Sequence, residues 1–388
     1  MKVLYDYQIF QWQAYGGISR YFYELMKDHK ETGRLDFELA LKYSPNFYLK
    51  NSTFAAEKAI DPDTMTIKDF LPTMQFRGKG RLFSLYSKLI NNKFVDTWAE
   101  NRSVSIAAIK KGDFDVLHCT NYDPYFLDHI GNKPYVITFY DLIHEIFPEL
   151  MMWDTSYVPR RKLAENAAKI IAISQKTKDD LVKIYDIDPE KIVVTHLASS
   201  LDTMAENPAL NLPEKFILHV GNREFYKNFY FFARVFAKLA EADPELRLVC
   251  AGGGGFKPNE LEFFDILGVK EKIIFAGSDD ASIATCYKKA LALITPTYYE
   301  GFNIPVIEAF SAGCPVVASN TGSTPEAGGD AAVYFDPKDL AAMKVAISDV
   351  IYNTDTRKQL IQKGTERAKL FSWRKTAEQT RSIYESIV

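Results

Sequence analysis

Two carboxylates, Glu300 and Glu308, stand eight residues apart in the stretch TYYEGFNIPVIEAFSAGCPVVAS (297–319), with Gly301 and Pro305 between them. They cannot share one continuous helix, because Gly301 weakens helix propensity and proline is tolerated only in a helix's first turn. The pattern predicts a loop over 297–303, a cap at Asn303 or Ile304, and a helix from about Pro305 to Ala312 that Gly313 ends in a left-handed conformation. Glu300 then lies in the loop ahead of the helix, and Glu308 about one turn inside it. A helix start offers free backbone N–H groups and a positive dipole end, which suits an anion such as a pyrophosphate. Carboxylates, in turn, accept hydrogen bonds from sugar and ribose hydroxyls, each worth about 1.5–3 kcal/mol. Hydroxyls at both ends and a diphosphate between them describe a nucleotide-sugar. The spacing alone also fits an ordinary glutamate pair stabilising a helix dipole.

The elements that must position these groups are short apolar runs alternating with helical segments. In the first half the strand candidates are 2–7, 36–41, 115–119, 135–139, 169–174 and 191–196, interleaved with helix-period segments such as 18–29 and 174–185. The stretch 197–214 is polar, carries two prolines, and reads as a linker. A second series follows at 216–221, 246–252, 272–277, 291–296, 315–319 and 331–335, and 371–388 reads as an amphipathic helix packing back across the domains. Strands interleaved with helices imply parallel sheets of right-handed βαβ units. The expectation is α/β, with two Rossmann-like doubly wound domains, 1–196 and 215–370, facing across a cleft. Ligands of open α/β sheets sit beyond the carboxyl ends of the strands, which makes that cleft the expected site.

At 388 residues two domains are the default, and 47% hydrophobic with 25% charged residues describes an ordinary globular composition. A formal net charge of -3 gives no global pull toward nucleic acid. Cys119, Cys250, Cys286 and Cys314 form no CxxC pair and read as buried free thiols in a reducing compartment. The N-terminus MKVLYDYQIF lacks a signal-peptide core, and no run of about 18 apolar residues occurs. The expected location is cytoplasmic.

The stretch around the two glutamates resembles the retaining glycosyltransferases of family 4, with the GT-B fold, whose hallmark is a glutamate, seven residues and a second glutamate. Here it reads EGFNIPVIE, followed by the family-like AFSAGCPVVAS and GSTPEAGGDAAVYFDP. Further matches are YGGISRY (15–21), YDLIHEIFPE (140–149), AISQKTKDDL (172–181), ILHVGNREFYKNF (217–229), LVCAGGGG (248–255) and FSWRKTAEQT (371–380), in order along nearly the whole chain.

The resemblance implies that Glu300 meets donor-sugar hydroxyls, that Glu308 meets the ribose, and that amides around Asn303 and Ile304 hold sugar or phosphate oxygens. Arg223 and Lys227 would grip the diphosphate, offsetting the charge that grows on the leaving group. Gly16 and Gly17 would form a tight turn near donor phosphate or acceptor, and Gly252 and Gly253 a strand-end turn lining the base pocket. The chain departs from the pattern in three places. Tyr140 stands where many relatives carry histidine, Asn303 where glycine is frequent, and Tyr226 where arginine is often found, so Arg223 substitutes for it. A tyrosine with a pKa near 10 is a poor general base at neutral pH, and His144 is close by; Asp141 remains a candidate acceptor-site carboxylate.

The implied activity is hexosyl transfer, first guess from GDP-mannose, to a glycan or lipid-linked saccharide in polysaccharide or O-antigen synthesis. It implies no metal and no cofactor beyond the donor, and DPD (61–63) and SDD (278–280) read as loop or cap residues. The segment 76–94 holds five basic and no acidic residues, with apolar positions at 82, 85, 86, 89 and 90. That fits a helix on an anionic membrane surface, on the inner face, or one packed on its own sheet. The alternatives are an NAD(P)-dependent oxidoreductase, for which a GxGxxG fingerprint is missing, and an inactive nucleotide-sugar-binding relative.

Overall fold

The computed structural model describes residues 1–56, 71, 74, 76, 78–89, 96–150, 160–201, 206–223 and 225–388. Each of the twelve apolar runs forms a strand: β1 (Lys2–Tyr5), β2 (Asp36–Leu39), β3 (Val116–Cys119), β4 (Tyr135–Phe139), β5 (Lys169–Ala172), β6 (Ile192–Val194), β7 (Phe216–Val220), β8 (Arg247–Ala251), β9 (Ile273–Phe275), β10 (Leu293–Thr295), β11 (Val316–Ser319) and β12 (Ala332–Phe335). β3, β4, β10 and β11 are buried at every residue. Strands covered on both faces read as continuous apolar runs rather than as alternating ones.

The strands make two parallel six-stranded sheets, ordered β2-β1-β3-β4-β5-β6 and β12-β11-β10-β7-β8-β9. In the second sheet β7 pairs with β8 from Phe216↔Arg247 to Val220↔Ala251, and its other neighbour is β10. The chain winds outward from β7 in one direction through β8 and β9, then returns to wind in the other through β10, β11 and β12. The crevice beyond the carboxyl ends of β7 and β10 is therefore the topological switch point, where open α/β sheets take ligands. One face is covered by helix Phe229–Ala242, whose Phe229, Phe232, Phe236 and Leu239 recur at helical spacing and pack with Leu248, Ile294 and Ile347.

The chain divides into two compact units, one comprising Met1–Thr138, Val158–Lys169 and Arg381–Val388, the other Phe139–Tyr157 and Ile170–Thr380. In the first, helix Gly17–Thr32 buries Tyr21, Phe22, Leu25 and Met26, and Gly33 ends it at φ 63°. His118 lies buried between two hydroxyls, with Nδ1 2.6 Å from Tyr384 Oη and Nε2 2.9 Å from Thr138 Oγ1. Burial, with His29 close by, pushes the His118 pKa down to about 3, so the ring is neutral. Helix Lys79–Leu89 buries Phe83 but leaves Leu82, Leu85 and Tyr86 exposed at 45%, 58% and 36%.

In the second unit, Ser174 caps helix Gln175–Tyr185 by accepting from Thr177 N at 3.0 Å. Helix Trp373–Glu385 begins there, with Thr376 Oγ1 donating to the His196 carbonyl at 2.7 Å. All four cysteines are buried and free.

Candidate donor site

Beyond β10 the chain enters the loop 296–303, and beyond β7 it enters the segment that carries Lys227. The two are joined by the backbone bond from Tyr298 N to the Tyr226 carbonyl, 2.8 Å. That bond sets Lys227 against Glu300: Nζ donates to both carboxylate oxygens, at 2.7 and 2.9 Å. The side chains keep only 16% and 11% of their surface, which makes the pair stronger than one on an open surface.

The helix that follows runs Ile304–Ser311, with Pro305 in its first turn and Gly313 beyond its end at φ +71°. Its start lies one residue earlier than the sequence pattern predicted. Asn303 caps it in the left-handed region (φ 66°, ψ 57°), where a non-glycine residue is strained by about 1–2 kcal/mol. Its amide is fixed between Thr295 Oγ1 and Thr324 Oγ1, both 3.0 Å from Nδ2, while Oδ1 is buried with no partner among the described residues. Glu308, buried one turn inside, accepts from Tyr287 Oη at 3.0 Å. Close by, burial and then the Glu308 charge push the Asp280 carboxyl up to about 6. Asp279, in the SDD stretch, accepts from Ser282 N at 2.9 Å as a helix cap.

Gly301 answers to a neighbour rather than to helix propensity. A Cβ on it would lie 1.7 Å from the Tyr140 carbonyl oxygen and 3.3 Å from Asp141 Cβ. Tyr140 and Asp141 are thus brought to the Glu300 loop, but Tyr140 presents its carbonyl there while its hydroxyl is buried. Asp141 Oδ1 accepts from Ile143 N at 3.0 Å at the start of the short helix Ile143–Ile146 that carries His144.

Arg223 has a carboxylate partner of its own. Its guanidinium meets buried Glu260, with Nε to Oε1 2.7 Å, and NH2 donates to the carbonyls of Gly254 and Gly255 at 3.0 Å each. The Arg223 charge is therefore paired with that of Glu260, which lies in the first turn of helix Pro258–Ile266. Gly252 and Gly253 form the turn after β8 with φ +70° and +66°. A Cβ on Gly253 would come within 2.4 Å of the Gly221 carbonyl, so this turn lies on the one after β7. Gly16 and Gly17 belong to the first unit. Gly16 is extended (φ 168°), its carbonyl accepts from Arg20 N at 3.0 Å, and Gly17 begins helix Gly17–Thr32.

Sequence reasoning missed the contacts that hold the Glu300 backbone. Ser323 Oγ donates to the Glu300 carbonyl at 2.8 Å, and Thr321 Oγ1 to that of Thr297 at 3.0 Å. The signal was the GSTPE stretch, matched above without a role. Among the described residues no group of three or more His, Cys, Asp or Glu is placed to hold a metal ion; the DPD stretch at 61–63 lies outside them. No helix among them is long and apolar enough to cross a membrane.

The doubly wound sheet thus brings a cation, two glutamates and a helix start to its switch point, on a GT-B frame. Two family models match adjoining stretches, Glycosyltransferase Family 4 over residues 80–201 and Glycosyl transferases group 1 over residues 202–367. Glycosyltransferase family models thus account for both halves of the chain, from residue 80 to residue 367. It is 29% identical over 265 residues to O-antigen chain mannosyltransferase B of Escherichia coli, covering 64% of this chain and 70% of that one. It is 25% identical over 316 residues to MMP alpha-(1→4)-mannosyltransferase of Mycolicibacterium hassiacum, covering 74% of each. The structure of sucrose-phosphate synthase from Thermosynechococcus elongatus superposes with TM-score 0.72 at 17% identity, over 100% of this chain and 98% of that one, and shares the fold. These matches support a transferase and not the NAD(P)-dependent oxidoreductase alternative.

Proposed function

We propose that this protein transfers a hexose from a nucleotide-sugar, first GDP-mannose, to a hydroxyl of a glycan or lipid-linked saccharide, with retention of anomeric configuration and without a metal ion. The observation that carries the reading is the Lys227–Glu300 pair at the switch point, next to the free start of helix Ile304–Ser311. Lys227 and the helix start face the diphosphate and offset the charge that develops on it as the glycosidic bond breaks. Glu300 takes donor-sugar hydroxyls once a ligand shares its cation, and Glu308 takes the ribose. The departing diphosphate accepts the acceptor proton on the same face, so no strong protein base is needed, and Tyr140 and Asp141 line the acceptor side. Arg223, neutralised by Glu260, supports the turn at Gly252–Gly255 rather than the phosphates. The two mannosyltransferase relatives support mannose and O-antigen-type acceptors as first choices.

The second part of the reading is peripheral contact with an anionic membrane through 76–94, favoured by the exposed Leu82 and Leu85. Sedimentation with phosphatidylglycerol vesicles at low salt tests it; protein left in the supernatant excludes it. For the main reading, thermal-shift screening of a nucleotide-sugar panel names the donor, and NMR of the product formed on a mannose oligosaccharide reads the anomer. Stabilisation by no nucleotide-sugar, or an inverted product, overturns it. Binding without release or transfer of sugar would identify an inactive relative instead.

A further inference from the structure

We propose that Tyr299 is a positioning residue for the donor sugar: together with Asp180 it sets the loop that aims Glu300. This rests on the donor-site reading above. Tyr299 Oη donates to Asp180 Oδ2 at 2.7 Å, and both residues are buried, at 4% exposure each. The other Asp180 oxygen meets Lys176, whose Nζ also lies 5.4 Å from the Tyr299 ring centroid. Burial, and then the Asp180 charge, push the Tyr299 pKa far above its ordinary value, so the phenol remains a donor throughout the physiological range.

The far side of the loop is held by rings. Phe302 stacks on His196 with centroids 5.4 Å apart and planes at 24°, and Phe371 packs edge-on to both at 5.6 Å. His196 Nε2 is 2.7 Å from Glu326 Oε1, and the Glu326 carboxylate accepts from the backbone N–H of Gln175 at 2.8 and 2.9 Å. Gln175 opens the helix that bears Asp180, so one carboxylate ties the two anchors together. Burial alone would push the Glu326 pKa up, yet these hydrogen bonds hold it below the usual carboxylate range, so it is charged at neutral pH. Glu300 therefore sits between residues fixed on each side, with its own carbonyl held by Ser323 at 2.8 Å. A group meant to meet a sugar hydroxyl must be held within about 0.5 Å of the productive geometry, and this framework supplies that restraint without touching the ligand.

Packing alone would require the same ring contacts but not the phenol oxygen. The test is therefore Tyr299→Phe and Asp180→Asn, singly and together, in the full chain. GDP and GDP-mannose, with UDP and UDP-glucose in parallel, are titrated by calorimetry, and sugar release is followed at steady state. The expected result is unchanged nucleotide affinity, loss of the extra affinity conferred by the sugar with a matching rise in donor KM, kcat lowered about 10- to 100-fold, and a double variant no worse than either single. Wild-type kcat in Tyr299→Phe, or nucleotide affinity and kcat falling together with the melting temperature, overturns the proposal. Amide exchange over 297–304 decides it independently of any donor: Tyr299→Phe should speed it about tenfold or more at unchanged melting temperature. Unchanged exchange refutes the positioning role. Failure of the wild type to bind any nucleotide-sugar refutes the donor-site reading instead and leaves the exchange result standing.

Discussion

Lys227 donates to both oxygens of Glu300, at 2.7 and 2.9 Å, so the cation proposed for the phosphate and the carboxylate proposed for the sugar neutralise one another. A donor entering this site inserts between them or shares them, and neither group has to be carried charged and unpaired in the meantime. Lys227→Met leaves Glu300 partly buried and uncompensated, which should cost about 1–3 kcal/mol in urea denaturation and lower turnover at least about 100-fold. Adding Glu300→Gln removes the stranded charge. The double variant should regain most of the stability and none of the turnover, separating the structural part of the pair from its chemical part.

Glu308, proposed to meet the ribose from inside the helix, accepts from a buried phenol. Tyr287 Oη donates to it at 3.0 Å, and burial followed by the Glu308 charge raises the Tyr287 pKa well above its ordinary value, so the donor keeps its proton. Glu308→Ala should weaken nucleotide binding by about 1.5–3 kcal/mol, roughly 10- to 100-fold in Kd. Tyr287→Phe, which only unfixes the carboxylate, should weaken it by a few-fold. Calorimetry with GDP and UDP measures both, and equal affinity in wild type and Glu308→Ala would remove Glu308 from the site.

What was legible in the sequence was local. The runs YVITF and PVVAS became strands because their residues are apolar on both faces, and NIP followed by AG marked a helix start and stop through the backbone preferences of Asn303, Pro305 and Gly313. The two-glutamate spacing placed Glu300 in the loop and Glu308 inside the helix for the same reason. Contacts between residues distant in sequence left no local pattern. Gly301 looked like a weak helix former, yet what needs glycine there is the Tyr140 carbonyl. The Arg223 partner left no trace either, since Glu260 is 37 residues away on another helix. Tyr299 carried no signal at all, since Asp180 is 119 residues away.

Arg223 and Glu260 form a pair with side-chain exposures of 2% and 4%. Removing one partner of such a pair leaves a buried charge and costs about 3–5 kcal/mol, whereas replacing both with apolar groups is often neutral or better. Arg223→Met should therefore melt many degrees lower than wild type, and Arg223→Met with Glu260→Met should recover most of that loss. If turnover returns with stability, Arg223 acts only through the turn it braces at Gly254 and Gly255. If it stays low while the fold is restored, the guanidinium also meets the donor.

Three buried histidines set the acid limit of the fold. Burial lowers His118 to about 3, His29 to about 4 with Arg381 adding to the effect, and His219 to about 4 despite hydrogen bonds to the carbonyls of Asn222 and Ile294. Each titrates near 6.5 in the unfolded chain, so the unfolded state takes up protons first as pH falls. The stability these rings contribute is fully present above about pH 6.5 and is lost progressively down to about pH 3–4. Melting temperature should accordingly hold level from pH 8 to 7 and fall steadily below 6.5. His118→Gln offers hydrogen-bonding atoms to Tyr384 and Thr138 without a titrating ring, so its curve should start lower at pH 7.5 and decline less steeply. Parallel curves for the two proteins would show that His118 is not among the groups whose protonation unfolds the chain.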